Sequence, residues 1–138
     1  MDFFEADINY LAVVLGAIVA QPIGFVWYSP ALFAGRWMEL RGYTREDVQG
    51  GGSTPYVVGF VAALVASYGL ARLADMTGAL DVGESIALAA FCWASFTAIA
   101  VATQIAFSQN QSVALFAIES GYWLASLLAI GAIVGAFQ

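Results

Sequence analysis

Long apolar runs separated by short polar punctuation dominate this chain. A helix needs about 20 mostly apolar residues to cross the roughly 30 Å hydrocarbon core of a bilayer, and four segments reach that length. They run from Ile8 to about Trp27 (INYLAVVLGAIVAQPIGFVW), Tyr56 to about Leu73, Ser85 to about Phe107 and Val113 to Phe137. Charge, glycine or a polar cluster bounds each one, and Arg72 stands only at the end of the second. Strict apolar–polar alternation is missing, and the segments are about twice as long as a barrel strand requires. The pattern predicts an all-α fold, an integral membrane four-helix bundle forming one transmembrane domain over residues 1–138.

Between the first two spans the pattern changes. Residues Ala31 to Leu40 set Leu32, Phe33, Trp37 and Leu40 against Arg36 and Glu39. That spacing predicts a short helix lying in the interface, with Trp27, Tyr28 and Trp37 at headgroup depth. Thr44 and Asp47 form a capping-box-like start for a further helical turn. Gly50 to Ser53 (GGGS) and Pro55 then give a flexible link. The leader MDFFEAD carries acids where a signal peptide carries bases, so the first span is expected to be retained.

Helices in lipid associate through close backbone approach and polar contacts. Small residues recur at spacing four in every span: Ala12, Gly16, Ala20 and Gly24; Gly59, Ala63, Ser67 and Ala71; Ala90, Ala94, Ala98, Ala102 and Ala106; Ala117, Gly121, Ala125 and Ala129. Residues four apart share a helix face, so each stripe is expected to face a neighbouring helix. Gly131 and Gly135 add a second close contact near the end of the chain.

Composition sharpens this picture. Hydrophobic residues make up 62% and charged residues 10%, whereas a soluble domain carries nearer a quarter charged residues to cover its core. There are four Arg, no Lys, no His and ten acids, for a net charge of −6. Nucleic acid is excluded as a partner, because binding it needs several phosphate-neutralising side chains. One cysteine, Cys92, and no histidine leave zinc without a ligand set. No nucleotide or metal signature is present, so the cofactor, if any, is unknown. Arg36, Arg41 and Arg45 all lie in the loop between spans one and two, which the positive-inside rule places in the cytoplasm with both termini outside.

The stretch from Ile8 to Leu40 followed by YTREDV resembles the opening of the DUF1761 family of small prokaryotic membrane proteins. Its most specific piece is WYSP-x-LF-x-x-x-W, Trp27 to Trp37. The ending ESGYWLASLLAIGAIVGAF, Glu119 to Phe137, is similar to that family's last span. The resemblance implies the fold and the cytoplasmic membrane of a prokaryote, and it implies no activity. Where family members carry bases between spans three and four, this chain has SQNQS.

Glu119 is the leading candidate for function. It sits about six residues into span four, about 9 Å along the helix, and a carboxyl inside a span marks a functional site or a specific partner. It lies nearly opposite Ala117 and Gly121, on a face with Tyr122, Trp123 and Ser126. If the small stripe faces the bundle, the Glu119 face needs a second copy or a polar cavity, which predicts a homo-oligomer. At the same level stand Thr103 and Gln104 of span three and Gln21 of span one, where Pro22 frees the Ile18 carbonyl. Gln21, Thr103, Gln104 and Glu119, with Arg36 reaching in from the interfacial helix, are the expected polar site. Arg72 and Asp75 read as a solvated pair at the end of span two.

Three function classes remain besides the lipid bilayer environment itself. One is a homo-oligomeric proton-linked or small-solute transporter or channel. Another is an accessory subunit docked on a membrane-protein partner, and the third a lipid-, quinone- or pigment-binding module. Without histidine or a catalytic motif, an enzyme is not expected.

Overall fold

A computed structural model describes residues 7–79 and 81–137. The leader acids Asp2 and Glu5 lie outside the described residues. Among these residues every regular element is helical: α1 (Tyr10–Trp27), α2 (Ala34–Arg41), α3 (Arg45–Gln49), α4 (Thr54–Thr77), α5 (Val82–Cys92), α6 (Ala98–Ala106) and α7 (Val113–Ala136). A π-helical turn, Trp93–Thr97, joins α5 to α6, so Val82–Ala106 runs as one rod. The rod, α1, α4 and α7 are the four helices long and apolar enough to cross a membrane. The protein is a multi-pass membrane protein, with α2 as the short helix between the first two spans.

The helix starts are written locally. The Asn9 side chain accepts from Leu11 N–H at 3.1 Å, Asp81 from Glu84 N–H at 2.7 Å, and Ser112 from Leu115 N–H at 3.3 Å. Each satisfies one of the donors a helix N-terminus leaves open. Thr44 and Asp47 form the capping box on α3 that the sequence predicts. Gly42, at φ 73°, stops α2 immediately after Arg41, because the left-handed conformation costs glycine nothing. Pro22 sits inside α1 without ending it.

α7 is the hub, packing against α1, α4 and the α5–α6 rod, while α1 also lies along α4. The closest approaches occur at glycine. A Cβ on Gly135 would come within 2.7 Å of the Asp81 carbonyl and Val82 Cα, and one on Gly131 within 2.8 Å of the Ser85 carbonyl. α5 and α7 therefore meet backbone to backbone, the contact lipid-embedded helices use in place of hydrophobic burial. On the other side of α7, Gly16 of α1 makes room for the Ser67 hydroxyl and for Ile130.

The small-residue stripes foretell this packing unevenly. In α1, Ala12, Gly16 and Ala20 are buried, and in α4 so are Ala63, Ser67 and Ala71. Gly59 stands clear, with nothing within 4 Å of where its Cβ would be. In the third span Ala94, Ala102 and Ala106 are exposed, and the buried face runs Ser85, Ala89, then Ala98, Val101 and Ile105. The face itself keeps a spacing of four, through Ser85, Ala89, Val101 and Ile105, with the π turn Trp93–Thr97 between its halves, and the alanine stripe from Ala90 runs one position beside it. In α7, Ala117 is exposed while Ile118, Ser126, Leu127, Ile130 and Val134 are buried. A central helix has no single packed stripe. Arg72, expected to be solvated, is 2% exposed, its guanidinium 5.5 Å from the centre of the Tyr68 ring.

Candidate functional site

The chain leaves α1 through Trp27-Tyr28-Ser29-Pro30 and turns back on itself. The Ser29 hydroxyl donates to the Val26 carbonyl at 2.7 Å, and Phe33 N–H donates to the Trp27 carbonyl at 3.1 Å. The Trp27 and Phe33 rings close the corner at 4.9 Å between centroids. This turn launches α2 across the C-terminal end of α6 and the N-terminal end of α7. There Trp37, Leu40 and Phe116 pack on Val101, Ile105 and Leu115, and Asn110 Nδ2 donates to the Leu40 carbonyl at 2.7 Å. No residue of α2 is itself buried.

α2 carries a receptor for Glu119. Arg41 Nε donates to Glu119 Oε1 at 2.7 Å, Arg41 Nη2 donates to the same oxygen, and Trp37 Nε1 donates to it at 3.1 Å. The side chains are 26% and 16% exposed for Arg41 and Glu119. A charge-assisted pair so shielded is stronger than a surface ion pair, because water competes less for either partner.

Two more indoles fix the helix that presents Glu119. Trp27 Nε1 donates to the Ile118 carbonyl at 2.9 Å, and Trp93 Nε1 donates to the Ser120 carbonyl at 2.8 Å. Residues 118, 119 and 120 thus each accept from a different tryptophan, drawn from α1, α2 and the π turn. Three such bonds on consecutive residues hold α7 in rotation as well as in height. Trp27 also lies on Gly121, where a Cβ would come within 2.9 Å of its ring. Sequence spacing shows none of this.

A run of rings leads from the surface past the pair into the bundle: Tyr43, Trp37, Tyr28, Tyr122 and Trp123, with neighbouring centroids 5.4–5.7 Å apart. Tyr28 follows the end of α1 at the centre of this run. Burial pushes its hydroxyl well above the ordinary phenol value, and the Glu119 charge pushes the same way against the pull of Arg41. Tyr28 is therefore a neutral hydroxyl beside the ion pair.

The other expected site residues lie apart from this cluster. Arg36 pairs with Glu39 at 3.2 Å on the exposed side of α2, and Arg41 is the cation at Glu119. Gln21 turns to its own helix, its Nε2 donating to the Ala17 carbonyl at 2.9 Å. Thr103 does likewise with Ile99 at 2.8 Å, and both Thr103 and Gln104 are exposed on the outside of α6. Gly24 lies against the Tyr122 ring. With a cation and an indole from its own chain, Glu119 does not require a second copy to satisfy it.

The family model for DUF1761, a protein of unknown function, matches residues 11–135. The chain belongs to the DUF1761 family. No curated protein and no solved structure matches it. In this DUF1761 chain the two stretches that carry the resemblance, Ile8 to Leu40 and Glu119 to Phe137, meet at the site. Trp27, Tyr28, Phe33 and Trp37 come from the first, and Glu119, Tyr122 and Trp123 from the second.

Proposed function

We propose that this DUF1761 protein acts in the cytoplasmic membrane of a prokaryote as a proton-linked site for a small solute. The Arg41–Glu119 pair is its working part. The observation that supports this reading is the placement of the two charges. Glu119 belongs to the central, tightly held helix, whereas Arg41 rides on a helix that buries none of its own residues. The pair can open without unpacking the bundle. An isolated charge in apolar surroundings is costly, so opening the pair calls for compensation of that charge. Three of the four arginines lie on the α2 side, which orients that side to the cytoplasm and the termini outward. Movement of solute across the bilayer takes assembly into a homo-oligomer, because the four helices pack directly on one another around α7.

Reconstituted vesicles with an internal pH-sensitive dye test the reading. Solute added under an imposed pH gradient should drive a proton flux that Glu119→Gln abolishes. Flux unchanged by Glu119→Gln, or absent in wild type at any pH, counts against it. A second reading rests on the run of rings from Tyr43 to Trp123, which suits a module holding a lipid, quinone or other apolar molecule. An organic molecule retained through gentle extraction would favour that class.

A further inference from the structure

The donors around Glu119 form a receptor that is complete without it. Trp37 and Arg41 stand four residues apart on α2, which sets them on one helix face. Trp37 Nε1, Arg41 Nε and Arg41 Nη2 all converge on one oxygen, Glu119 Oε1. Three N–H donors and one positive charge aimed at a single oxygen make an oxyanion receptor carried wholly by α2. Glu119 contributes the anion and nothing else.

We propose that Glu119 is an internal surrogate for the carboxylate of a ligand with an apolar body. In the closed arrangement the protein's own carboxylate fills the receptor. In the open one a ligand carboxylate takes its place on Trp37 and Arg41, with the apolar body against the rings of Tyr28 and Tyr122. The inference rests on the reading of this site as a solute site and names the class of solute.

A monoanion matches the receptor, because α2 offers a single cation there. Its other arginine, Arg36, is exposed and already engaged with Glu39. A carboxylate carries the one charge that Arg41 meets, whereas a phosphate dianion would leave one charge unmatched next to lipid. The adjoining surface is aromatic: the Tyr28 ring lies 5.7 Å from Trp37 and 5.5 Å from Tyr122. A fatty acid arriving through the bilayer and an aromatic acid arriving from water share this chemistry.

Isothermal titration of the full chain in dodecyl maltoside separates the cases, with decanoate, benzoate and, as a ligand lacking the carboxylate, 1-decanol. Glu119→Gln and Glu119→Ala should bind a carboxylate at least about tenfold more tightly than wild type, since the competing anion is gone. Adding Arg41→Gln to either variant should erase the gain, and 1-decanol should show none. A larger gain for decanoate identifies a bilayer source, and a larger gain for benzoate a soluble one. Equal affinity in wild type and both Glu119 variants, or a gain that survives Arg41→Gln, overturns the inference. Should neither variant fold, wild type with labelled indole nitrogens provides the reading. Movement of the Trp37 N–H signal with that of Trp93 unmoved supports the surrogate, and no movement up to the solubility of decanoate overturns it. A Glu119-dependent proton flux without a carboxylate gain would overturn this inference and leave the solute site standing. A carboxylate gain without flux would uphold it and count against transport.

Discussion

Arg41, in the last turn of α2, donates through two nitrogens to one oxygen of Glu119, 78 residues further along the chain. The contact ties the polar loop to the central span at the one place where α7 offers a carboxylate. Arg41 itself stands one residue beyond the Ile8 to Leu40 stretch, and Glu119 opens the stretch at the end of the chain.

Close helix contact predicts a sharp contrast between two glycines. Gly135→Ala must push against the Asp81 and Val82 backbone, which cannot rotate away. It should destabilise the protein by about 1–3 kcal/mol. Gly59→Ala meets open space, and should be neutral or stabilise by about 0.5–1 kcal/mol through helix propensity. Denaturation in mixed detergent micelles measures both.

The tryptophan bonds to α7 predict an effect of the indole N–H apart from the ring. Trp93→Phe keeps an aromatic ring at the π turn but loses the bond to Ser120. It should cost about 1 kcal/mol and disturb the signal of Trp37 on the neighbouring residue of α7. Nitrogen-resolved spectra of the labelled indoles check this, and an unshifted Trp37 signal would show the two anchors to be independent.

Tyr28 predicts a loss of stability in alkali. Its folded value is raised above the ordinary 10.0, chiefly by burial, so the unfolded chain gives up that proton first. The stabilising contribution is therefore complete below pH 10.0 and falls away as pH rises from there toward the folded value. Tyr28→Phe should remove this part of the alkaline decline, as read from unfolding midpoints between about pH 9 and 11.

Asp47 predicts the opposite dependence at α3. Its carboxylate accepts from the Thr44 backbone N–H at 2.8 Å, and the Thr44 hydroxyl adds to the effect, holding Asp47 below the ordinary 3.8. The cap is in place above 3.8 and is lost as pH falls through the lower folded value. Carbon-detected titration should find that low value in wild type. Thr44→Ala should return it part of the way toward 3.8.

Much of this architecture is readable from sequence because apolar length alone decides it. The four spans, the interfacial helix and the Thr44–Asp47 cap follow from local rules. Helix rotation does not. α7 touches three partners, so Ala117-Gly121-Ala125-Ala129 looks like a packing face although Ala117 is exposed. In the third span the alanines from Ala90 to Ala106 form the conspicuous stripe, but the packed face runs beside it through Ser85, Ala89, Val101 and Ile105, and small-residue spacing does not distinguish the two. Glu119 stands out as an acid inside a span, but its partner is Arg41 and not Arg36. One signal was available: Arg41 is four residues from Trp37 and shares its face, whereas Arg36 is three from Glu39 and forms its pair there.

A double-mutant cycle on Arg41→Gln and Glu119→Gln, followed by unfolding in mixed micelles, tests the central claim most directly. The ion pair predicts that each single change costs about 2–3 kcal/mol. The double change should cost little more than either alone, giving a coupling of at least about 1.5 kcal/mol. Effects that add to within about 0.5 kcal/mol would contradict the pair as the bond that holds α2 to the bundle.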